Sequence, residues 1–256
     1  MKRILVSTLA VVALAAPAVA ADLAPHTYTK APVIAPVPGW AGFYIGGNVG
    51  GGWGKTTFDS VAGGDHYLLN GQSFSTNTKA GVVGGVQVGY NWQFQQFVVG
   101  LEGTYSGSDI KNSTGIFADP VFGGQNVSFE SKIDSYATIV GRLGWTPDNT
   151  WLLYAKGGWA TGHVKSSVQD YFPLPATLQH WSGASKWQDG WTVGAGVEYK
   201  LTSNWILGVE YNYLNLSSKN HSGPINGVAP GAPLFYSEGV KADINAVTAR
   251  VSYLFH

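Results

Sequence analysis

The sequence predicts an all-β fold: an eight-stranded antiparallel transmembrane β-barrel of up-and-down topology. Three observations lead there. From Trp40 onward, apolar and aromatic residues recur at alternate positions in eight segments, the mark of a strand with one apolar and one polar face. The connections alternate between tight turns and long polar stretches. The composition suits a β protein with a non-aqueous surface: of 256 residues only 12% are charged, 13% are aromatic and 35 are glycine. An ordinary soluble domain carries roughly 25% charged residues and about 7% glycine.

Composition also excludes function classes. Lys+Arg and Asp+Glu balance at 15 each, so net charge offers nothing to nucleic acid. Cysteine is absent, which removes disulfide frameworks and zinc ribbons. Residues 1–20 read as a secretory signal: Lys2 and Arg3 start it, Ile4 to Ala16 is an apolar run, and Ala18-Val19-Ala20 is a small-x-small cleavage pattern. Thirteen apolar residues are too few for a spanning helix, and no later stretch reaches eighteen. Cleavage after Ala20 leaves 13 bases against 15 acids, a charge near −2. Residues 21–39 hold Pro25, Pro32, Pro36 and Pro38 and are expected to form an extended periplasmic tether. Residues 40–256 are expected to form the barrel.

The first four segments set Phe43, Ile45, Val49 and Trp53; Val82, Val86, Val88, Tyr90 and Trp92; Phe97, Val99, Leu101 and Tyr105; and Ile133, Ala137, Ile139, Leu143 and Trp145 on their apolar faces. The next four set Trp151, Leu153, Ala155 and Trp159; Trp191, Val193, Ala195, Val197 and Tyr199; Trp205, Leu207, Val209, Tyr211 and Tyr213; and Val247, Ala249, Val251, Tyr253 and Phe255 there. Turns of four or five residues follow Trp92, Trp145 and Lys200. Between them, residues 54–79, 109–131, 165–186 and 217–240 are rich in Gly, Ser, Asn, Asp and Pro and read as outer loops. Short periplasmic turns with long outer loops are the asymmetry of an outer-membrane barrel. Trp92, Phe97, Trp145, Trp151, Tyr199, Trp205, Tyr253 and Phe255 cluster at the short-turn end, where an aromatic girdle belongs.

The polar faces carry Glu102, Glu198 and Glu210 with Arg142, Lys156 and Arg250. Consecutive strands pair them by sign: Glu102 with Arg142, Lys156 with Glu198, Glu210 with Arg250. Eight strands enclose a space that side chains just fill, so a balanced network closing the lumen is expected. A selective channel lining is the alternative. No Gly-x-Ser-x-Gly elbow, His-Glu-x-x-His motif or Ser-His-Asp order is present, and no enzyme, metal site or cofactor is expected. His66, His180 and His221 fall in three outer stretches without fixed spacing. An iron-porphyrin takes His as an axial ligand, so these residues are the candidates for haem or another loop ligand.

Trp40-Ala41-Gly42-Phe43-Tyr44-Ile45-Gly46-Gly47-Asn48 after the Pro-rich lead resembles the opening strand of small alphaproteobacterial outer-membrane barrels. Gly141-Arg142-Leu143-Gly144, Leu153-Tyr154-Ala155-Lys156-Gly157-Gly158 and Gly190-Trp191-Thr192-Val193-Gly194-Ala195-Gly196-Val197-Glu198-Tyr199 look like its later strands, so the resemblance spans Trp40 to Phe255. It implies a Gram-negative outer-membrane location and a structural, surface-antigen role in the cell envelope. A small porin-like diffusion channel is the runner-up, and haemin binding, known in some members, is third. The partners implied are outer-membrane lipid and the barrel-assembly machinery, met through the C-terminal strand. A contact of the tether with peptidoglycan stays open. Here His256 follows the terminal aromatic Phe255, a departure from barrels that end on an aromatic.

Overall fold

The computed structural model describes residues 39–60, 73–115, 117–118, 126–171, 178–181, 184–224 and 235–256. The expected signal peptide, and the tether as far as residue 38, lie outside the described residues. Eight long strands make the wall: β1 (Gly42–Ser60), β3 (Gly81–Phe94), β4 (Phe97–Ser113), β6 (Asn126–Trp145), β7 (Trp151–Tyr171), β9 (Ser185–Lys200), β10 (Trp205–Pro224) and β11 (Phe235–Phe255). Three short strands, β2 (Ser73–Asn77), β5 (Phe117–Ala118) and β8 (Leu178–Trp181), fold back on the outer ends of β1, β6 and β7.

Every long strand pairs antiparallel with its two neighbours in the chain. β6 pairs with β7 and β1 with β11, which closes the ring. Among the described residues, closure gives each of the eight long strands a partner on both sides, the condition for strands to cross lipid. The short turns are built locally. Gln95 and Asn149 take the left-handed conformation, with φ of 56° and 59°. Asp148 Oδ1 accepts from the amides of Thr150 (2.9 Å) and Trp151 (3.1 Å), fixing the β6–β7 turn.

The alternation expected from sequence decides which face meets lipid. Ile45, Val49, Val86, Val99, Leu101, Ile139, Leu143, Leu153, Val209 and Val251 are exposed on the outside. The seven girdle residues Trp92, Phe97, Trp145, Trp151, Tyr199, Trp205 and Phe255 also face out; Tyr253, partly exposed, meets Phe255 and Trp205 edge to face. A second ring, not singled out in the sequence, lies at the other edge of the apolar band: Trp53, Tyr105, Trp159, Trp191 and Tyr211. Trp151 and Trp159 are eight residues apart on β7, ~26 Å at ~3.3 Å per residue and less after tilt, which fits a ~25 Å hydrocarbon band.

Two expectations are corrected. The four stretches read as outer loops are, in their described parts, largely strand. β1 runs to Ser60, β4 to Ser113, β7 to Tyr171 and β10 to Pro224, so the wall continues well above the lipid band. Their outward faces are glycine, serine and charge, which reads as loop. Their inward faces keep the alternation through Phe58, Ile110, Phe129 and Val240, all buried and continuous with buried Val164, Leu214, Leu216 and Ala242 just below them. Second, Ile133 does not share a face with Ala137 and Leu143. A bulge between Ile133 and Ser135 shifts the register by one, and Ile133 turns into the interior.

Candidate functional site

The lumen is filled in layers. At the periplasmic mouth Trp40 is fully buried with Tyr44, Val98, Leu152, Tyr154, Ile206 and Leu254. Its amide donates to Gln93 Oε1 (2.5 Å) and its indole Nε1 to Thr146 Oγ1 (3.1 Å). The Lys200 ammonium stands 4.6 Å from the ring centre and donates to the carbonyl of Gly39 (2.7 Å), the last residue of the expected tether. The chain thus enters the barrel as a stopper.

Above it lies the charged layer. Alternation on β4, β6, β7, β9, β10 and β11 aims Glu102, Arg142, Lys156, Glu198, Glu210 and Arg250 inward, and none is more than 7% exposed. The six meet in one network. Lys156 Nζ reaches Glu102 Oε1 at 3.0 Å and Glu210 Oε1 at 2.7 Å. Arg142 pairs with Glu198 at 2.7 Å and lies 3.7 Å from Glu102. Arg250 pairs with Glu102 and Glu210 and approaches Glu198 at 3.6 Å. Three carboxylates face three cations, so the layer is neutral. Of the sign pairs drawn from sequence, Glu102–Arg142 and Glu210–Arg250 are contacts, whereas Lys156 meets Glu102 and Glu210 in place of Glu198. Consecutive strands are not the only neighbours in a lumen this narrow: side chains reach across the axis.

Two tyrosines complete the layer and were not singled out as site residues. Tyr44 Oη donates to Glu102 Oε2 (2.8 Å) and accepts from Arg142 (3.0 Å). Tyr154 Oη donates to Glu210 Oε2 (2.5 Å), accepts from Arg250 (3.1 Å), and has the Arg142 guanidinium 4.1 Å above its ring. The signal was present, since both sit on the polar parity of their strands. Each lies over a glycine of the neighbouring strand. Tyr154 is in register with Gly196, where a Cβ would stand 2.6 Å from the phenolic oxygen, and Tyr44 is in register with Gly89. Glycine at these positions leaves room for the ring to lie against the wall.

Beyond the network a cavity of about 10 Å³, lined by Asn48, Thr104, Thr138 and Asn212 among others, has room for about one water. The outer half of the lumen is then packed with Phe58, Val83, Ile110, Phe129, Ile133, Tyr136, Val164, Leu214, Leu216 and Ile244.

The candidate ligand histidines are not brought together. His66 lies outside the described residues. His180 is on β8, in register with Gln169, and its side chain lies outside the described residues. His221, expected in a loop, points from β10 into the lumen and is fully buried. Its Nδ1 meets Ser166 Oγ at 2.8 Å and its Nε2 meets the Gln188 amide nitrogen at 2.9 Å, so neither nitrogen is offered to an external ligand. The residue lies above the lipid band. Burial, aided by the Lys186 ammonium, pushes its ring down to about 4. At the C-terminus, Phe255 faces outward, while the His256 ring meets the Ser203 carbonyl at 3.0 Å.

Comparison with known proteins agrees with this architecture. Residues 6–255 match the family model of the outer membrane protein beta-barrel domain. The chain is 37% identical over 225 residues to the 31 kDa outer-membrane immunogenic protein of Brucella melitensis, covering 86% of this chain and 89% of that one. It is 34% identical to a 22 kDa outer membrane protein of Rhizobium leguminosarum, over 75% of this chain and 71% of that one. Among solved structures, OprG of Pseudomonas aeruginosa is similar at 14% identity and a TM-score of 0.41, covering 86% of this chain and 99% of that one. With a closed eight-stranded wall, an apolar outer band, the family-model match and the Brucella and Rhizobium relatives, the chain belongs to the alphaproteobacterial branch of the outer-membrane β-barrel family and resides in the outer membrane.

Proposed function

We propose that the protein serves the envelope as a closed wall element that displays its outer segments at the cell surface, and that it neither conducts nor catalyses. One observation carries this reading: three successive fillings occupy the lumen, namely the Trp40 stopper, the neutral charged layer and the apolar outer plug. A diffusion pore needs a continuous polar path, and the apolar plug interrupts it. Catalysis needs a group with an unmet proton or charge demand. In the charged layer each carboxylate is matched by cations, and Glu102 and Glu210 also by tyrosine hydroxyls, which makes them poor general acids or bases. The immunogenic names of the Brucella relatives support the surface role. The terminal aromatics Tyr253 and Phe255, packed edge to face with ring centres 4.8 Å apart, support recognition of the last strand by the assembly machinery. Single-channel recording of the purified protein in planar bilayers tests the closed state. The expected record is a flat baseline; steady, reproducible openings would overturn the proposal.

A further inference from the structure

Above the lipid band the wall stops being one ring. Lower down, backbone ladders join every long strand to both neighbours. Among the described residues, two of those ladders end early. Between β9 and β10 the last pair is Gly190 with Leu216, although β9 begins at Ser185 and β10 runs on to Pro224. Between β3 and β4 the last pair is Val83 with Ser108. Above it β2 takes the place of β3 beside β1, and one backbone bond, from the Lys79 amide to the Lys111 carbonyl (3.0 Å), stands at the foot of the gap to β4. An edge strand bulges where each split starts, β10 between Leu216 and Lys219 and β4 between Gly107 and Ile110. Bulges terminate pairing in this way.

The two splits lie on opposite sides of the wall. On one side β4, β6, β7 and β9 stay paired toward their outer ends; on the other β10, β11, β1 and β2 do. The outer half is therefore two four-stranded sheets packed face to face, a sandwich standing on a ring. Phe129 of the first sheet meets Phe58 and Phe74 of the second, with ring centres 5.3 and 6.3 Å apart. Polar bonds between the sheets come mainly from side chains. Thr56 meets Ser131 at 3.0 Å, Thr76 donates to Asn112 (3.0 Å), and His221 reaches from β10 to Ser166 on β7 and Gln188 on β9.

Lysines sew the β9–β10 seam. Lys186 Nζ donates across it to the Asn220 carbonyl (2.7 Å), and Lys219 Nζ donates back to the Trp187 carbonyl (2.9 Å) and meets Asp189 at 3.1 Å. These ammoniums occupy carbonyls that an incoming strand would need, so the edges are guarded against pairing with another chain. They do not guard against separation. Opening a ladder breaks a row of backbone bonds. Opening this seam breaks exposed contacts that salt screens, the clasp of His221, and the apolar packing beneath. We propose that the outer half is a two-leaved clasp whose leaves part at the lysine-sewn β9–β10 seam, while the ring below holds their feet together. Parting bares Phe58, Phe129 and Val240 at the cell surface. The charged layer and the Trp40 stopper stay in place, so the movement makes no pore.

The chain has no cysteine, so one introduced thiol reports one place. Val240→Cys puts it between the leaves and Ser252→Cys inside the ring, and both positions are buried. The rate at which each reacts with methyl methanethiosulfonate, in full-length protein purified in mild detergent, reads the local opening. Adding K186Q/K219Q should speed the reaction at Val240→Cys about tenfold. It should leave Ser252→Cys unchanged and keep the heat-modifiable migration of the folded barrel on gels. K186R/K219R, which retains the donors, should leave both thiols slow. So should K55Q/K241Q, which removes lysines from β1 and β11 within one leaf. An unchanged rate at Val240→Cys in K186Q/K219Q would overturn the proposal. So would equal acceleration at both thiols or loss of the heat-modifiable form, since either means that the whole barrel has loosened. Acceleration of the same size by K186R/K219R or K55Q/K241Q would overturn it as well.

Discussion

The two halves of the lumen solve the same problem differently. The periplasmic half sits inside the lipid band and is closed by the Trp40 stopper and, above it, by six ionised side chains and two tyrosines. The outer half rises above the band and is closed by aliphatic and aromatic side chains packed like a soluble core. Where the outside is hydrocarbon, apolar residues must face out, and the polar parity turned inward brings charged groups into the lumen above the apolar cluster of Trp40, Val98, Leu152, Ile206 and Leu254. Those groups are tolerable only if they pair, because an isolated buried charge costs far more than a paired one. Above the membrane the outside is water and headgroup. There charge turns outward and mainly apolar groups turn inward, beside the buried polar Asn112, Ser131, Ser166, Gln188 and His221, and the hydrophobic effect can drive closure. Bulges mark the changeover: the register slips at Gly107/Ile110 between β4 and β6 and at Ile133/Ser135 between β6 and β7.

The contrast yields predictions of decreasing size. Arg250→Met, in the charged layer, strips a partner from three carboxylates at once and leaves the layer with an excess negative charge. We expect a loss of about 3–5 kcal/mol, read as a lower urea midpoint for the heat-modifiable form, and partial rescue when Glu102→Gln restores neutrality. An unchanged midpoint would show that the network contributes nothing. Ile110→Ala, in the apolar plug, should cost about 2–4 kcal/mol through a cavity. Its effect should concentrate in faster amide exchange of the outer strand ends, with the periplasmic ends spared; uniform exchange along the strands would merge the two halves into one cooperative unit.

Gly196→Ala pushes on Tyr154 and should cost about 1–3 kcal/mol by overpacking; the urea midpoint reads it, and the double change with Tyr154→Phe should recover little because the ring itself is displaced. Acid should separate the halves by a smaller amount. The ordinary His value is near 6.5, and His221 is held near 4 when folded. Between those values the unfolded chain binds more protons than the folded one, so the stability contributed by neutral His221 is present above pH 6.5 and is lost as pH falls toward 4. Exchange at the outer strand ends should accelerate over that range in the wild type and not in His221→Gln. Trp40→Phe keeps an aromatic ring in the stopper but removes the indole's hydrogen bond to Thr146 and leaves space where the second ring stood. A loss of about 1 kcal/mol is expected, with bilayer currents still flat.

Particular residues show how much was legible in advance. Glu102, Arg142, Lys156, Glu198, Glu210 and Arg250 could be named because period-two alternation fixes which way each side chain points, whatever the rest of the chain does. The girdle at the turn end was legible for the same reason. Tyr44 and Tyr154 were visible on the polar parity, yet a tyrosine there reads as a girdle or core residue until its phenol is seen against Glu102 or Glu210. Ile133 was misplaced because one extra residue in a strand leaves no compositional trace. His221 was read as a loop residue because the strand extension around it carries glycine, serine, lysine and asparagine on its outward side.

Local chemistry along the chain therefore determined the strand count, the lipid-facing set and the presence of balanced charge within the wall. These depend on periodicity and spacing, which survive without knowledge of neighbours. The tertiary structure alone decided which carboxylate meets which cation, that Trp40 stops the mouth, that the wall stands taller than the membrane, and that its outer half divides along two opposite seams. Each of these follows from shear and register, the offset between strands distant in sequence, and no single strand carries that information in its own residues.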